Sequence, residues 1–432
     1  MVNTQLFQTI RGALMPETDA LNDELAPAYA LSARHQLAQL AATGCLNATF
    51  YADAQSQLDR VRQLAAGVDA QFIAKTAVCA RAAGHMKDMP VLLAGVLATR
   101  DVALLAQVFG RVVDNGKTLR GFVQMLRSGA LGRKSLGTRP KKLVQQWLLA
   151  ATEKQLLNAS IGSAPSLADV VKMVHPKPAE AWRAAWFAWL IGKPHDASAL
   201  PPLTQAFERF KQALAEGVDA QVPDVPFQML TALPLTAQHW AQIARQGSWQ
   251  MVRQNLNTFA RQGAFGVDGV AESVAALLRD PAQVARARVL PYQLLSAYKA
   301  AGADVPHAVR EALQDAMEAA LANVPAFEGR VVVCPDVSGS MASAVTGYRG
   351  SATSTVRCID VAALVAAAVL RKNPAARVLP FEQSVVQLQL NPRDSVLTNA
   401  QALSAIGGGG TNCSAPLALL NAERAEADLV IL

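Results

Sequence analysis

Apolar residues recur at helical spacing through the first three quarters of the chain, with glycine or proline punctuating them at short intervals. Trp182, Trp186 and Trp189 fall at positions i, i+4 and i+7, and Gly192 and Pro194 then supply stop signals. The three indoles share one helical face, which predicts a core stripe. Successive helices with short connections predict a solenoid of degenerate helical repeats.

The pattern changes after Pro325. Short β-branched runs alternate with apolar helical runs, which is typical of a doubly wound parallel sheet. The predicted strands are VVVCPD (331–336), ARVLPFE (376–382), VVQLQL (385–390) and ADLVIL (427–432), and the predicted helices cover 360–373 and 396–406. The sequence therefore predicts an α plus α/β protein, with an all-α domain over 1–325 and an α/β domain over 326–432.

Composition narrows the class of protein. The chain is 51% hydrophobic, 6% aromatic and rich in alanine, which suits packed helices. The longest uncharged apolar run, 361–370, is shorter than the ~18 residues of a membrane span. Five cysteines without a C-x-x-C pair, and a start without a secretory pattern, predict a cytoplasmic protein with reduced thiols.

The net charge of +7 comes largely from one stretch. Residues 115–152 contain eight basic residues and no acidic residue. Such a patch predicts contacts with nucleic-acid phosphates, although a merely solvated basic surface is the alternative. The eight residues are Lys117, Arg120, Arg127, Arg133, Lys134, Arg139, Lys141 and Lys142.

A second candidate site follows the first predicted strand of the α/β domain. Asp336, Ser338 and Ser340 occupy a loop at the carboxyl end of that strand, where function gathers in parallel sheets. Thr411 adds a hydroxyl from a glycine-rich loop. Carboxylate and hydroxyl oxygens suit a divalent cation such as Mg²⁺. The alternative is a helix cap or turn without a metal.

The arrangement D-x-S-x-S at 336–340 with a distant Thr411 resembles the metal-ion-dependent adhesion site of von Willebrand factor A (vWA) domains. That resemblance implies a further aspartate beyond the strand at 427–432 and a longer domain. We therefore expect a truncated A-like domain and an incomplete Mg²⁺ site. Pro335 departs from a regular strand because it has no N–H for the ladder.

Several helical segments resemble the TROVE module of the Ro autoantigen family. They include NATFYADAQSQL (47–58), FVQMLRSGALGRKSLGTRPKKLVQQWL (122–148) and DVVKMVHPKPAEAW (169–182), in an order that leads into a vWA-like domain. The resemblance implies a HEAT-like helical-repeat ring closed by the A-like domain. His175, in the loop MVHPKP, lies in a stretch that resembles the family, which implies contact with a base; an ordinary loop histidine is the alternative.

The resemblance further implies a non-catalytic RNA-binding scaffold of the bacterial type. Such proteins bind Y-type noncoding RNA on a basic surface and single-stranded ends of misfolded RNA in the ring, in RNA quality control or degradation. A partner exoribonuclease is expected, and no DNA. The alternative is a protein-interaction module that binds an acidic partner through a metal at the A-like domain.

Overall fold

A computed structural model describes residues 19–21, 27–44, 46, 53–346 and 354–432 of the chain. Part of the Ro-like segment NATFYADAQSQL, residues 47–52, lies outside the described residues, as does Cys45. The described part is mostly helical, with a small parallel sheet near its C-terminal end. No helix in these ranges is long and apolar enough to cross a membrane. The predicted fold class is confirmed.

The chain divides into two compact units, one over residues 31–235 and the other over 236–432 together with the described residues before 31. The boundary predicted at residue 325 falls inside the second unit and stays a prediction. The first unit contains the helices α1 (Ala33–Thr43), α2 (Ala54–Ala66), α3 (Ala70–Ala82), α4 (Met89–Arg100), α5 (Val102–Val112), α6 (Gly116–Arg127), α7 (Thr138–Ala150), α8 (Glu153–Ser160), α9 (Leu167–Val174), α10 (Ala181–Leu190), α11 (Pro202–Glu216) and α12 (Phe227–Leu230).

Helix α4 is central to the first unit. Every residue from Met89 to Ala98 is buried, and the helix packs against α3, α5 and α6. A helix that is apolar on all sides must be surrounded by others, which fixes α6 and its neighbours as an outer layer. Of the predicted tryptophan stripe, Trp186 is fully buried, whereas Trp182 and Trp189 are half-buried.

The second unit begins with seven helices and continues into the sheet. The helices are α13 (Ala237–Gln246), α14 (Trp249–Gln254), α15 (Leu256–Arg261), α16 (Val270–Arg279), α17 (Pro281–Ala287), α18 (Pro291–Ala300) and α19 (His307–Ala319). A short antiparallel pair, β1 (Ala20–Leu21) and β2 (Pro27–Ala28), is assigned to the same unit. Helix α16 packs on α19, and α18 packs on α19.

The α/β part holds a three-stranded parallel sheet in the order β4–β3–β5. Its elements are β3 (Val331–Val333), α20 (Cys358–Lys372), β4 (Arg377–Val378), α21 (Val396–Ser404), α22 (Ala415–Glu423) and β5 (Leu429–Ile431). Val332, Cys334, Leu379, Phe381 and Leu420 form a buried cluster on the sheet. β3 is thus the middle strand, and its carboxyl end carries the loop that starts at Asp336.

One expectation for this region needs correction, and one helix was not predicted. VVQLQL, 385–390, forms no strand, because the chain turns back directly after β4: Val386 N–H donates to the carbonyl of Pro380, and Val385 bridges antiparallel to Phe381. The segment then runs on without a partner strand. Conversely, the stretch after Ser414 forms helix α22, which begins with a proline in its first turn, a favoured position.

Candidate functional site

Helix α6 carries the first part of the basic surface. The Asn115 side chain accepts the N–H of Thr118, whose hydroxyl accepts the N–H of Asn115, and this capping box starts the helix. Leu119, Phe122, Val123 and Leu126 are buried on one face. Lys117, Arg120, Gln124 and Arg127 follow helical spacing on the other face, where all but Arg120 are exposed. Lys117 and Arg127 therefore face solvent.

Arg120 and Arg133 are already engaged with backbone carbonyls. Arg120 donates from Nη2 to Ile161 and from Nη1 to Pro165 (3.3 Å), and its Nε is buried without a partner in the described part of the chain. Burial lowers the pKa of Arg120. Arg133 donates to the carbonyls of Ala98 at 3.0 Å and Ser135 at 2.8 Å. Both guanidinium groups tie loops to the helical layer, so fewer of their donors face outward.

Helix α7 carries the second part. It starts after Gly137, whose φ of +75° is in the region that favours glycine. Arg139 and Lys142 are exposed and Lys141 is half-buried, whereas Pro140, Val144 and Leu148 are buried. Leu143 and Trp147 are half-buried beside them. Lys134 is exposed in the loop before the helix.

His175 lies next to this helix. It ends α9 in the left-handed conformation, with φ +51°, and its side chain is exposed. Nε2 of Gln145, one turn beyond Lys141 on α7, donates to the carbonyl of Val174 at 2.6 Å and to that of His175 at 3.3 Å. The fold thus brings His175 close to the cations of α7. We define the basic surface as Lys117, Arg127, Lys134, Arg139, Lys141, Lys142 and His175.

Two cations that the sequence pattern does not single out precede this stretch. Arg81 and Lys87 line the same cavity as Lys117 and Arg120. Arg81 is paired bidentately with Asp114 and also donates to the carbonyl of Met86. Lys87 is exposed and makes no ion pair within the described ranges. No local signal marks Lys87, because only the packing of α4 against α6 brings it there.

The second candidate site is built where β3 ends. Pro335 lacks an N–H, but its carbonyl accepts from Phe381 N–H at 3.1 Å, so the strand continues as isolated bridges past Val333. Asp336 is half-buried, and its Oδ1 accepts the N–H of Ser338 at 2.8 Å. The carboxylate is thereby fixed at the mouth of the loop, at the expected end of the sheet.

Three hydroxyls meet beside Asp336. Oγ of Ser338 lies 3.3 Å from Oγ of Ser340, and Thr411 donates its hydroxyl to Ser338 Oγ at 2.8 Å. Ser338 precedes a short 3₁₀ turn, Gly339–Ala342, but its side chain makes no capping hydrogen bond. The three hydroxyls therefore lie together in one cluster, and Ser338 does not cap the 3₁₀ turn.

The glycine-rich loop approaches the serines by its backbone. Gly408 N–H donates to the Val337 carbonyl at 3.2 Å, and Gly339 N–H donates to the Gly409 carbonyl at 3.1 Å. Gly409 has φ +64°, and a Cβ there would lie 2.2 Å from Oε2 of Glu382. Glycine is therefore required at position 409 for both conformation and space.

Glu382 is an acidic residue that the D-x-S-x-S pattern does not indicate. It follows Phe381, which bridges to Asp336, and its carboxylate lies against Gly409, two residues before Thr411. That carboxylate makes no hydrogen bond or ion pair with the other described residues. No group of three or more His, Cys, Asp or Glu side chains suited to a metal occurs in the described ranges. A cation held here would depend on the hydroxyls of Ser338, Ser340 and Thr411 beside Asp336, with Glu382 as a second carboxylate, and this donor set fits Mg²⁺.

Comparison with known proteins identifies the fold and its relatives. A family model described as the Ro60 vWA domain matches residues 330–432. The RNA-binding protein RO60 of Deinococcus radiodurans is 25% identical over an alignment of 476 residues, which covers 99% of this chain and 86% of that protein. The crystal structure of the Deinococcus radiodurans RO (RSR) protein superposes with a TM-score of 0.66 at 19% identity, over 92% of this chain and 85% of the other, and shows the same fold. Residues 330–432 therefore match the vWA domain of Ro60, and the chain as a whole resembles the Ro proteins along nearly its full length.

Proposed function

We propose that this protein is a non-catalytic RNA-binding scaffold of the Ro type. It binds a small structured noncoding RNA of the Y type on the basic surface, and single-stranded RNA ends, in RNA quality control or degradation. A relative named as an RNA-binding protein over the same length supports RNA as the partner. An exoribonuclease that acts on the bound RNA is a further partner in this proposal.

The observation that carries the proposal is the arrangement of the basic surface. Lys117 and Arg127 project from α6, and Arg139 and Lys142 project from α7, while the apolar faces of both helices are buried. None of these four cations forms an ion pair within the described chain, so their charge is available to phosphates. An exposed imidazole beside them, His175, suits contact with an unstacked base.

The test compares two triple variants in RNA binding across a salt titration. Arg139→Gln, Lys141→Gln and Lys142→Gln together should weaken binding of a stem-loop RNA with a 3′ tail and lower the salt slope by about two to three, roughly one for each phosphate that loses its cation. The control combines Lys193→Gln, Arg209→Gln and Arg393→Gln, which are exposed cations that do not belong to the basic surface. Equal losses in both triples would refute the proposal, since they would show only non-specific charge.

The same binding experiment also compares two RNA structures, a stem with a single-stranded tail and a blunt duplex. Side chains do not read the deep major groove of A-form RNA, so a tailed stem should bind more tightly than a blunt duplex of the same length. Equal affinity for the two would contradict recognition of single-stranded ends.

A second candidate function is supported by the hydroxyl cluster at the vWA site. Asp336, Ser338, Ser340 and Thr411 would hold Mg²⁺, with Glu382 adjacent, and the cation would bind a carboxylate of an acidic protein partner. Binding of a polyglutamate peptide is expected with Mg²⁺, and neither with EDTA nor in Asp336→Asn. Binding that persists in EDTA would reject this function.

A further inference from the structure

The cavity that contains Lys87 differs in character from the open basic surface. It is a concave space of about 320 Å³ between the C-terminal end of α3, the loop before α4 and the first turns of α6. Arg81, Lys87, Lys117 and Arg120 line it, and Asp88 is its acidic wall. Lys87 and Asp88 lie outside the 115–152 stretch, so the cavity is not a restatement of that patch.

The charges in the cavity do not cancel. Arg81 is neutralised by Asp114, with Nη2 to Oδ1 at 2.8 Å and Nε to Oδ2 at 3.0 Å. Lys87, Lys117 and Arg120 have no carboxylate partner within the described residues. With Asp88 subtracted, three positive charges against one negative charge leave an excess of about two. A bound anion would balance this excess positive charge.

Arg120 is the cation of the cavity that most clearly lacks a negatively charged partner. Its guanidinium is partly buried, its partners are the neutral carbonyls of Ile161 and Pro165, and its Nε is buried without any partner in the described chain. A buried cation ordinarily has a counter-charge because desolvation of an unpaired charge is costly. An anion in the cavity would supply the missing counter-charge at this position.

Size and shape narrow the kind of anion. The volume is at the lower end of small-molecule sites, enough for a phosphate with part of a nucleoside. Val91 and Met125 give the wall an apolar part, and Gly121 leaves space because it has no side chain. A concave cavity accepts the end of a chain more readily than a continuous backbone, which needs an open groove. A phosphate monoester carries about two negative charges, against one for an internal diester.

We propose that this cavity binds the terminal phosphate monoester of an RNA end. The proposal rests on the proposed function, since it names the RNA feature that this part of the molecule recognises. Lys87 and Lys117 would contact the phosphate oxygens, Arg120 would provide the buried counter-charge, and Val91 and Met125 would contact the terminal nucleoside.

The experiment compares one RNA oligonucleotide in three forms: with a 5′-phosphate, with a 3′-phosphate, and with hydroxyls at both ends, each labelled internally. The form with the recognised phosphate should bind about tenfold more tightly than the hydroxyl form, as expected for one or two charge-assisted hydrogen bonds. Equal affinity for all three forms would overturn the proposal.

Two variants probe the cavity without changing the basic surface. Lys87→Gln removes one unpaired cation, and Gly121→Leu fills the space: a Cβ at Gly121 would meet only Cγ1 of Val91, at 3.9 Å, so the backbone tolerates a side chain. Both should abolish the preference for the phosphorylated end over the hydroxyl form. Lys172→Gln, an exposed lysine on α9, is the matched control and should keep the preference. Retained preference in both cavity variants would place the phosphate elsewhere and overturn the proposal.

Adenosine 5′-monophosphate distinguishes a free nucleotide from an RNA end. If it alone binds as tightly as the phosphorylated RNA, the cavity is a nucleotide site and the assignment to RNA ends is overturned. The outcomes also separate this inference from the proposed function. Loss of binding for every RNA form in the unmodified protein would reject the function itself, whereas equal binding of all forms rejects only the end-phosphate site.

Discussion

The hydroxyl of Thr411 donates to Oγ of Ser338 at 2.8 Å, although the two residues are 73 positions apart. This bond joins the loop that follows β3 to the glycine-rich loop. The backbone contacts of Gly408 and Gly409 with Val337 and Gly339 surround it. Two loops joined in this way, by side chain and by backbone, form one oxygen-lined site.

Gly409→Ala should destabilise the protein more than the same substitution at another glycine with a similar positive φ. At φ +64°, any L-residue costs about 1–2 kcal/mol, and here the new Cβ would also collide with Oε2 of Glu382. Gly192→Ala is the matched control, since Gly192 has φ +71° and nothing within 4 Å. Urea denaturation should show a larger loss of unfolding free energy for Gly409→Ala. Equal losses would mean that Glu382 moves aside freely.

Removal of either carboxylate should weaken cation binding. Asp336→Asn removes the residue whose Oδ1 is held by Ser338 N–H, and Glu382→Gln removes the carboxylate beside Gly409. Mn²⁺, used as a paramagnetic substitute for Mg²⁺, should bind about tenfold more weakly to Glu382→Gln and more weakly still to Asp336→Asn, because carboxylates are the charged ligands in this donor set. Asp394→Asn, an exposed residue of the same domain, serves as the control. Unchanged Mn²⁺ affinity in Glu382→Gln would exclude that residue as a ligand.

Asp360 should make folding stability sensitive to acid. Its side chain is 2% exposed, and it is paired with Lys299 at 2.8 Å and Arg357 at 2.9 Å. Burial works to raise the pKa of Asp360, but the hydrogen bonds from Arg357 and Lys299 outweigh it and hold the pKa at about 2, below the ordinary 3.8. A lowered pKa in the folded state means that this contribution is complete above pH 3.8 and is lost as the pH falls toward 2.

The corresponding variant is Asp360→Asn. It leaves Lys299 and Arg357 without their shared carboxylate, and a loss of about 2 kcal/mol in unfolding free energy at pH 7 is expected. Asp224→Asn breaks the exposed pair with Lys154 and should cost less than about 1 kcal/mol. Below pH 3 the difference in unfolding free energy between Asp360→Asn and the unmodified protein should become smaller. A difference that does not depend on pH would contradict the assignment.

Substitution of Arg120 should lower the stability of the protein more than substitution of Lys117, although both residues belong to the basic stretch. Arg120→Gln loses the bonds to the carbonyls of Ile161 and Pro165 and should lower the unfolding free energy by about 1–2 kcal/mol. Lys117→Gln should change it by less than about 0.5 kcal/mol, because that side chain is exposed. Thermal denaturation checks both. Equal stability of the two variants would show that the Arg120 bonds contribute nothing to folding.

Local sequence signals determined much of the architecture. The apolar spacing and the capping residues Asn115, Thr152 and Ser166 place helices α6, α8 and α9, because these signals act within a single turn. Asp336, Ser338 and Ser340 were recognisable because they lie on one short loop after a β-branched strand. The strand predicted at 385–390 was wrong because apolar alternation is a purely local signal. A strand also needs a partner strand, and the turn after β4 leaves none.

Tertiary structure decided which residues meet. Lys87 lies near Lys117 and Arg120 because α4 packs against α6. Glu382 lies against Gly409 because the neighbouring Phe381 bridges to Asp336. Lys299 pairs with Asp360 where α18 contacts α20. It also decided that Arg120 and Arg133 donate to carbonyls within the protein, whereas Arg139 and Lys142 face solvent. Spacing along the chain encodes which side of a helix or strand a residue occupies. Which distant side chain it contacts depends on how those elements pack, and only the folded chain defines that.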